Sequence, residues 1–274
     1  MSASGDGFDI RTLAATYHPG TTLATHRHRW GQLVFAAAGV MHVNTGDAVW
    51  LIPPTRAIWL PAGVAHAITM QGDVMMRTLY IDAPRAGALP ATPHVLEIAP
   101  LLRELILHIV AIGMLTPALP AHDRMAGMLV DLVLSARHED LSLPLPRDGR
   151  ARRLAEHWQR TPGERRDLAA LALAFGASLR TLQRVFPAET GLTLEAWRQK
   201  SRLIHGVGLL VAGASVTGAA LDCGYDSPAA FSFAFTRHFR VSPGRYRGGE
   251  GRKGSSFFQK RTCLLFARAD GRCR

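Results

Sequence analysis

The sequence predicts an α+β protein in which an N-terminal β-barrel is followed by a helical connector and an all-α C-terminal region of two helix-turn-helix units. Three observations predict this order. Between Thr12 and Asp82, short apolar runs such as LVFAAAGVMHV, AVWLI and AIWLP are broken by Gly, Pro, Asn and Asp, the punctuation of strands and turns. From Glu97 onward the apolar residues fall three and four apart, the spacing of amphipathic helices. Charge is partitioned as well: residues 1–100 carry six Lys and Arg against six Asp and Glu, while residues 147–247 carry 16 against 8. The formal net charge of +11 therefore sits in the back of the chain, which predicts a polyanion partner for that part alone. On charge alone, a solvated basic face is the other reading.

With 274 residues, 47% of them hydrophobic, the chain can bury two cores. The expected division is 1–95 for the barrel, 96–146 for a helical connector and candidate dimerisation segment, 147–247 for the helix-turn-helix region and 248–274 for a basic, Gly-rich tail. Cys223, Cys263 and Cys273 are odd in number and lack zinc-finger spacing, which disfavours a disulfide framework or a structural zinc and predicts a reducing cytoplasm. The start MSASGDGFD has no basic segment followed by an apolar one, so no secretory signal is expected. Leu105 to Ala121 contains His108, Pro117 and Pro120 and falls short of the roughly 20 clean apolar residues of a span, so no membrane segment is expected.

The elements follow in order. Within the barrel, NTGD at Asn44 to Asp47 predicts a hairpin turn. Leu101, Leu102, Leu105, Ile106 and Ile109 form one helical stripe, and Met125, Met128, Leu129, Leu132 and Val133 form another. These stripes can pack on the barrel or on a second copy of the chain, and periodicity does not distinguish the two. SLPLPRDG, Ser142 to Gly149, then marks the domain boundary.

Beyond it, DLAALALAFGASLRTLQRVF has the layout of a helix-turn-helix: Leu168 to Phe175 as first helix, Gly176 in the turn, Ser178 as cap and Leu179 to Phe186 as second helix. Leu179, Leu182, Val185 and Phe186 fall on one side of that second helix. Arg180 and Arg184 fall on the other, flanked by Thr181 and Gln183. A groove-facing helix needs this division, an apolar side to set its angle and long donors opposite to reach bases or phosphates. An ordinary amphipathic helix shows the same division, so a second unit matters. SVTGAALDCGYDSPAAFSFAFTRHFRVSPGRYR repeats the layout, with Val216 to Cys223, Gly224, the cap Ser227 and Pro228 at the first helical position. The intervening helix, Leu194 to Val211, would set the two recognition helices roughly 34 Å apart if they enter successive major grooves.

The string Leu168 to Arg247 resembles the DNA-binding domain of AraC/XylS regulators, through the glycine, aromatic, serine, phenylalanine and closing SPxxYR pattern of its second unit. The resemblance implies tandem binding to an asymmetric duplex site, with Arg180, Gln183 and Arg184 at base-contacting positions of the first unit. In the second unit Phe233 stands where such regulators often carry arginine, and Ala229 and Ala230 stand where polar readers are common. Readout there is expected to rest on Ser232, Thr236 and apolar contact with thymine methyl groups, with Arg237 and Arg240 on phosphates. Gly206 and Gly208 are unusual inside the connecting helix, each costing about 1 kcal/mol relative to Ala.

In the front domain, Gly20, His26, His28, Gln32 and Gly39 keep the spacing of the first cupin motif, with Gln where Glu is usual. Pro61, Gly63 and His66 match the core of the second motif, whose opening Gly is here Thr55 and whose closing Asn is Met70. The resemblance implies a cupin-like sensory barrel. Two histidines two apart on a strand face inward together, and His66 from a distant strand can complete a divalent metal site; Gln32 brings no negative charge to it. Alternatively, the three histidines line an effector pocket. Trp30, Trp50, Trp59 and Tyr80 are candidates for the same pocket, with Arg56 and Arg77 for an acidic group on its ligand; barrel core and exposed strand positions are their plain readings.

The expected function is sequence-specific transcription regulation in response to a small-molecule effector, without enzymatic activity. The expected partners are double-stranded DNA, the effector, RNA polymerase and a second copy of the chain. A cupin metalloenzyme, a dioxygenase or isomerase with a helical appendage, is the alternative, and a constitutive DNA-binding protein with a structural barrel is a third.

Overall fold

The computed structural model describes residues 7–247. The expected basic tail, 248–274, lies outside the described residues, as do Cys263 and Cys273.

Strands β1 (Ile10–Tyr17), β2 (Thr22–His26), β3 (Gly31–Asn44), β4 (Ala48–Ile52), β5 (Arg56–Leu60) and β6 (His66–Ile81) build the N-terminal part. These strands pair antiparallel in the order β1-β6-β3-β5, with β2 on β6 and β4 on β3. The long strands β3 and β6 pair along most of their lengths, and register shifts around Ala38 let β3 bend. Gly39, at φ 80°, sits at that bend, where a Cβ would meet the Asp73 carbonyl oxygen at 2.2 Å. The hairpin at Asn44 to Asp47 forms as expected: Asn44 Oδ1 accepts from the Gly46 amide at 2.8 Å, and Gly46 has φ 87°.

Strand alternation divides the sheet into two buried faces. Val34, Ala36, Ile58, Leu60 and Met76 belong to one, continuous with the apolar core of the C-terminal helices. Leu33, Phe35, Trp59, Leu79 and Ile81 belong to the other. That second face is covered by α2 (Pro100–Ile112) through Leu102, Leu105, Ile106 and Ile109, and by α3 (Pro120–Ser135) through Ala126, Leu129, Val130 and Val133. The predicted stripes are thus largely intramolecular core, while Leu101 and Met128 stay exposed. The segment expected to be a helical connector also holds strands. The short α1 (Ala83–Ala86) leads into β7 (His94–Glu97), and β8 (Met114–Leu115), β9 (His138–Glu139) and β10 (Ser142–Pro144) all join the sheet. Two- and three-residue strands carry too little periodicity to be read from sequence, because their pairing partners alone make them strands.

The C-terminal part contains α4 (Gly149–Arg160), α5 (Leu168–Ala174), α6 (Leu179–Thr190), α7 (Leu194–Val211), α8 (Val216–Asp222), α9 (Pro228–Phe239) and α10 (Pro243–Arg247). Asp148, Asp167, Ser178, Thr193, Ser215 and Ser227 each cap the following helix by accepting a backbone amide. Helix α6 runs four residues past the predicted end at Phe186, through Pro187, until Gly191 closes it in the left-handed region. Trp158, Phe186 and Trp197 pack with ring centroids 5.6 to 6.2 Å apart at the centre of the first unit. In the second unit Phe231 and Phe235 are fully buried, and Gly206 explains itself there: a Cβ would lie 2.9 Å from the Phe231 ring.

Helices α7 and α10 lie against the sheet. Lys200 Nζ donates to Asp140 Oδ2 at 2.6 Å, and Trp197 Nε1 donates to the Pro144 carbonyl at 2.6 Å. Glu139 accepts two bonds of 2.6 Å from Arg56 and one of 3.2 Å from the Tyr246 hydroxyl. Gly208 faces the side chain of Gln71, whose Oε1 accepts from His42 Nε2 at 3.0 Å. No helix among the described residues is long and apolar enough to cross a membrane.

Candidate functional site

Three histidines converge where β2 ends and β6 begins. His26 and His66 are paired across the two strands, and His28 lies two residues beyond the end of β2, its carbonyl held by the Gly63 amide at 2.7 Å. His28 thus joins the set from the segment that follows β2 and not from the strand itself. Ring centroids are 4.8 Å apart for His26 and His28, 4.5 Å for His26 and His66, and 5.5 Å for His28 and His66. One ring nitrogen from each lies within 4.8 Å of the others.

Backbone carbonyls set the tautomers. Nδ1 of His26 meets the Ala24 carbonyl at 2.7 Å and Nδ1 of His66 meets that of Val64 at 3.0 Å; a carbonyl only accepts, so Nδ1 carries the proton and Nε2 keeps its lone pair. Nε2 of His28 and of His66 are buried without a partner. Burial, then the neighbouring rings of His26 and His66, hold the His28 pKa below its ordinary value; burial does the same for His66 against the opposing Val64 bond. Three imidazoles with ring nitrogens this close together, two of them anchored through Nδ1 to a backbone carbonyl, fit a borderline divalent ion such as zinc, nickel or iron.

Gln32 sits deeper and is buried, opposite Leu60 and Tyr80 in register. Its Nε2 donates to Thr78 Oγ1 at 3.1 Å, and its Oε1 is buried with no partner. The Tyr80 ring lies 5.0 Å from that of His28, and burial raises its phenol pKa. Of the residues read as pocket candidates, Tyr80 alone has its ring against the histidines. Trp59 faces the opposite side of the sheet, in the core under α2 and α3, and its Nε1 donates to the Pro90 carbonyl at 2.8 Å. Trp30 packs under the Arg11 guanidinium at 4.1 Å, and Trp50 donates to Thr45 Oγ1 at 3.3 Å. Arg56 is neither exposed nor free for a ligand, because Glu139 holds it from within the chain. Arg77 bonds to its neighbour's carbonyl, that of Met76, at 2.8 Å. Aromatic composition marks burial on either face, so it could not sort these residues.

On α6 the buried side is Leu182, Val185 and Phe186, leaving Arg180, Gln183 and Arg184 exposed and Thr181 half-buried beside the Ser178 cap. On α9 the buried side is Phe231, Ala234 and Phe235; Ala229, Phe233, Thr236, Arg237 and Arg240 are exposed and Ser232 is half-buried. Phe233 is 70% exposed, an unusual state for that side chain in a water-soluble helix. Arg240 closes α9 with φ 61°, the one positive φ outside glycine among the described residues.

The reading from sequence missed the junction residues Glu139, Asp140, Lys200 and Tyr246. One signal was available. Lys200 falls on the buried stripe of α7, three residues after Trp197 and four before Ile204, where a charge requires a partner.

Two family descriptions match the chain: an AraC-like ligand binding domain over residues 8–155 and a helix-turn-helix domain over residues 171–249. The chain is 35% identical over 237 residues to the HTH-type transcriptional regulator NimR of Escherichia coli K12, covering 85% of this chain and 86% of that one. It is 31% identical over 113 residues to the HTH-type transcriptional regulator RipA of Corynebacterium glutamicum, covering 41% and 34%. Among solved structures it is similar to ToxT from Vibrio cholerae in an unsaturated fatty acid bound form, with a TM-score of 0.38 at 11% identity, over 90% of this chain and 97% of that one.

Proposed function

From the premise that this chain belongs to the AraC family of helix-turn-helix transcriptional regulators, we propose that α6 and α9 enter neighbouring major grooves of one duplex and that the histidine site receives the controlling small molecule. The observation that carries the DNA reading is the division of α6: its apolar side is locked in the core while Arg180, Gln183 and Arg184 remain free. These three, with Thr181, read bases. On α9 the reading is weaker, through Ser232 and Thr236, with Ala229 and Phe233 against thymine methyl groups and Arg237 and Arg240 on phosphates.

His26, His28 and His66 would hold a divalent ion, with Gln32 as the neighbouring neutral donor. Such an ion offers open coordination positions to a ligand, while the protein orients the imidazoles and shields them from water. Effector binding is transmitted where α7 meets the sheet, since a sensor and a reader can be coupled only through contacts that differ between their states. Leu101 and Met128, left exposed on α2 and α3, offer a seam to a second copy, and RNA polymerase is a further partner of the regulator working in the cytoplasm. Footprinting over the intergenic region upstream of its own gene tests the DNA reading. Two protected patches about one helical turn apart are expected, and protection no stronger than on random duplexes in moderate salt removes it.

The same histidines favour a second reading, a cupin metalloenzyme with a helical appendage. That reading predicts turnover by the metal-loaded protein in the absence of DNA.

A further inference from the structure

The metal reading leaves a charge unaccounted for. Among the described residues the group of close potential ligands contains histidines only, all neutral donors. Gln32, buried with Oε1 unpartnered, contributes no charge either. A divalent ion bound here would keep its full charge of two in a site that is partly closed to water: His66 is buried and His26 and His28 are half-buried. An uncompensated charge in such surroundings is costly, and the usual remedy, a carboxylate from the chain, is missing. His26 and His28 are only half-buried, so the compensating group can arrive from solution.

We propose that the effector is a small anion with two adjacent oxygen donors, such as a 2-hydroxy or dicarboxylic acid, which completes the coordination of an ion held by His26, His28 and His66 and supplies the negative charge that Gln32 does not. This rests on the divalent-ion reading of the histidines. The ion's own charge selects the ligand class: neutral molecules of the same shape leave the charge unbalanced, and monodentate anions leave a coordination position open.

The test uses the full chain with no histidine tag, loaded with Zn2+, dialysed and assayed for metal by mass spectrometry. Titration calorimetry then follows oxalate and lactate, with lactamide as the neutral counterpart of lactate, on the zinc-loaded and the chelator-stripped protein. The zinc-loaded protein is expected to bind oxalate at least about tenfold more tightly than the stripped protein and to ignore lactamide. Gln32→Glu moves the missing charge onto the chain, so it should hold zinc more firmly and bind oxalate about tenfold more weakly. His28→Ala, at a half-buried loop position, should lose both zinc and oxalate while keeping its far-ultraviolet circular dichroism. Zinc retained below about a tenth of an equivalent by the unaltered chain would remove the ion reading itself. Zinc retained in full, with oxalate binding equal in loaded and stripped protein or unchanged by Gln32→Glu, overturns the ligand class and leaves the ion in place.

Discussion

Arg184 and Phe233 occupy the same position in their helices, six residues after the caps Ser178 and Ser227, and both are exposed. One offers five donors to base edges and phosphates; the other offers only apolar surface. Arg184→Ala is expected to weaken specific binding by about 1 to 3 kcal/mol, and Phe233→Ala to change it by no more than about 0.5 kcal/mol. Gel-shift titrations in which Phe233→Ala proved the more damaging change would reverse that ranking. Another residue pair carries a pH dependence. His42 on β3 and His205 on α7 interact across the junction, and both have their pKa lowered. For His42 the cause is burial, against the Gln71 bond; for His205 it is burial and then His42, against Asp222. A base with a depressed folded-state pKa takes up protons less readily than in the unfolded chain. The folded state therefore holds its full advantage above the ordinary value of 6.5 and loses it as pH falls below that value. Denaturant midpoints should drop between about pH 7 and pH 5, and His205→Asn should flatten the slope.

At the scale of elements, the two glycines of α7 look alike in sequence and differ in structure. A Cβ on Gly206 would sit 2.9 Å from the fully buried Phe231 ring and 3.3 Å from Cys223 Sγ, in a core with no room to shift. Gly206→Ala should therefore destabilise by about 1 to 3 kcal/mol in spite of the helix-propensity gain of about 1 kcal/mol. A Cβ on Gly208 would approach Gln71 Oε1 at 3.3 Å, the far end of a flexible side chain that can yield. Gly208→Ala should be neutral or stabilising by up to about 1 kcal/mol, and thermal denaturation of the two variants side by side checks the contrast. Helix α6 makes a related point about boundaries. Pro187 has no amide to bond back to Gln183, yet the helix passes through it to Gly191, beyond the end at Phe186 that the apolar stripe predicts.

For the whole molecule, the junction decides whether sensor and reader are one body. Its ion pair is asymmetric: the Lys200 side chain is 9% exposed and that of Asp140 is 66% exposed. Removing the carboxylate strands a buried ammonium, whereas removing the ammonium leaves a carboxylate that water can solvate. Asp140→Ala should cost up to about 3 kcal/mol and Lys200→Met distinctly less, measured by chemical denaturation. Equal losses would mean that the pair is effectively solvated on both sides. Glu139 next to it joins Arg56 of the sheet to Tyr246 of α10, so two consecutive acidic residues tie the sheet to the connecting helix α7 and to α10.

The helix-turn-helix units were legible because their signals are local. Caps at Ser178 and Ser227, turn glycines at 176 and 224 and a 3.6-residue apolar period all act within one or two turns of chain. The histidines were legible as a set through spacing, although the place of His28 beyond the end of its strand was not. What the helical stripes of α2 and α3 cover, which face of the sheet takes Trp59 and not Tyr80, and which carboxylate pairs with Arg56 were settled only by tertiary structure. These depend on contacts between residues tens of positions apart, such as Arg56 with Glu139 and Lys200 with Asp140. A period or a residue type says that a side must be buried or a charge paired; only the folded chain supplies the partner.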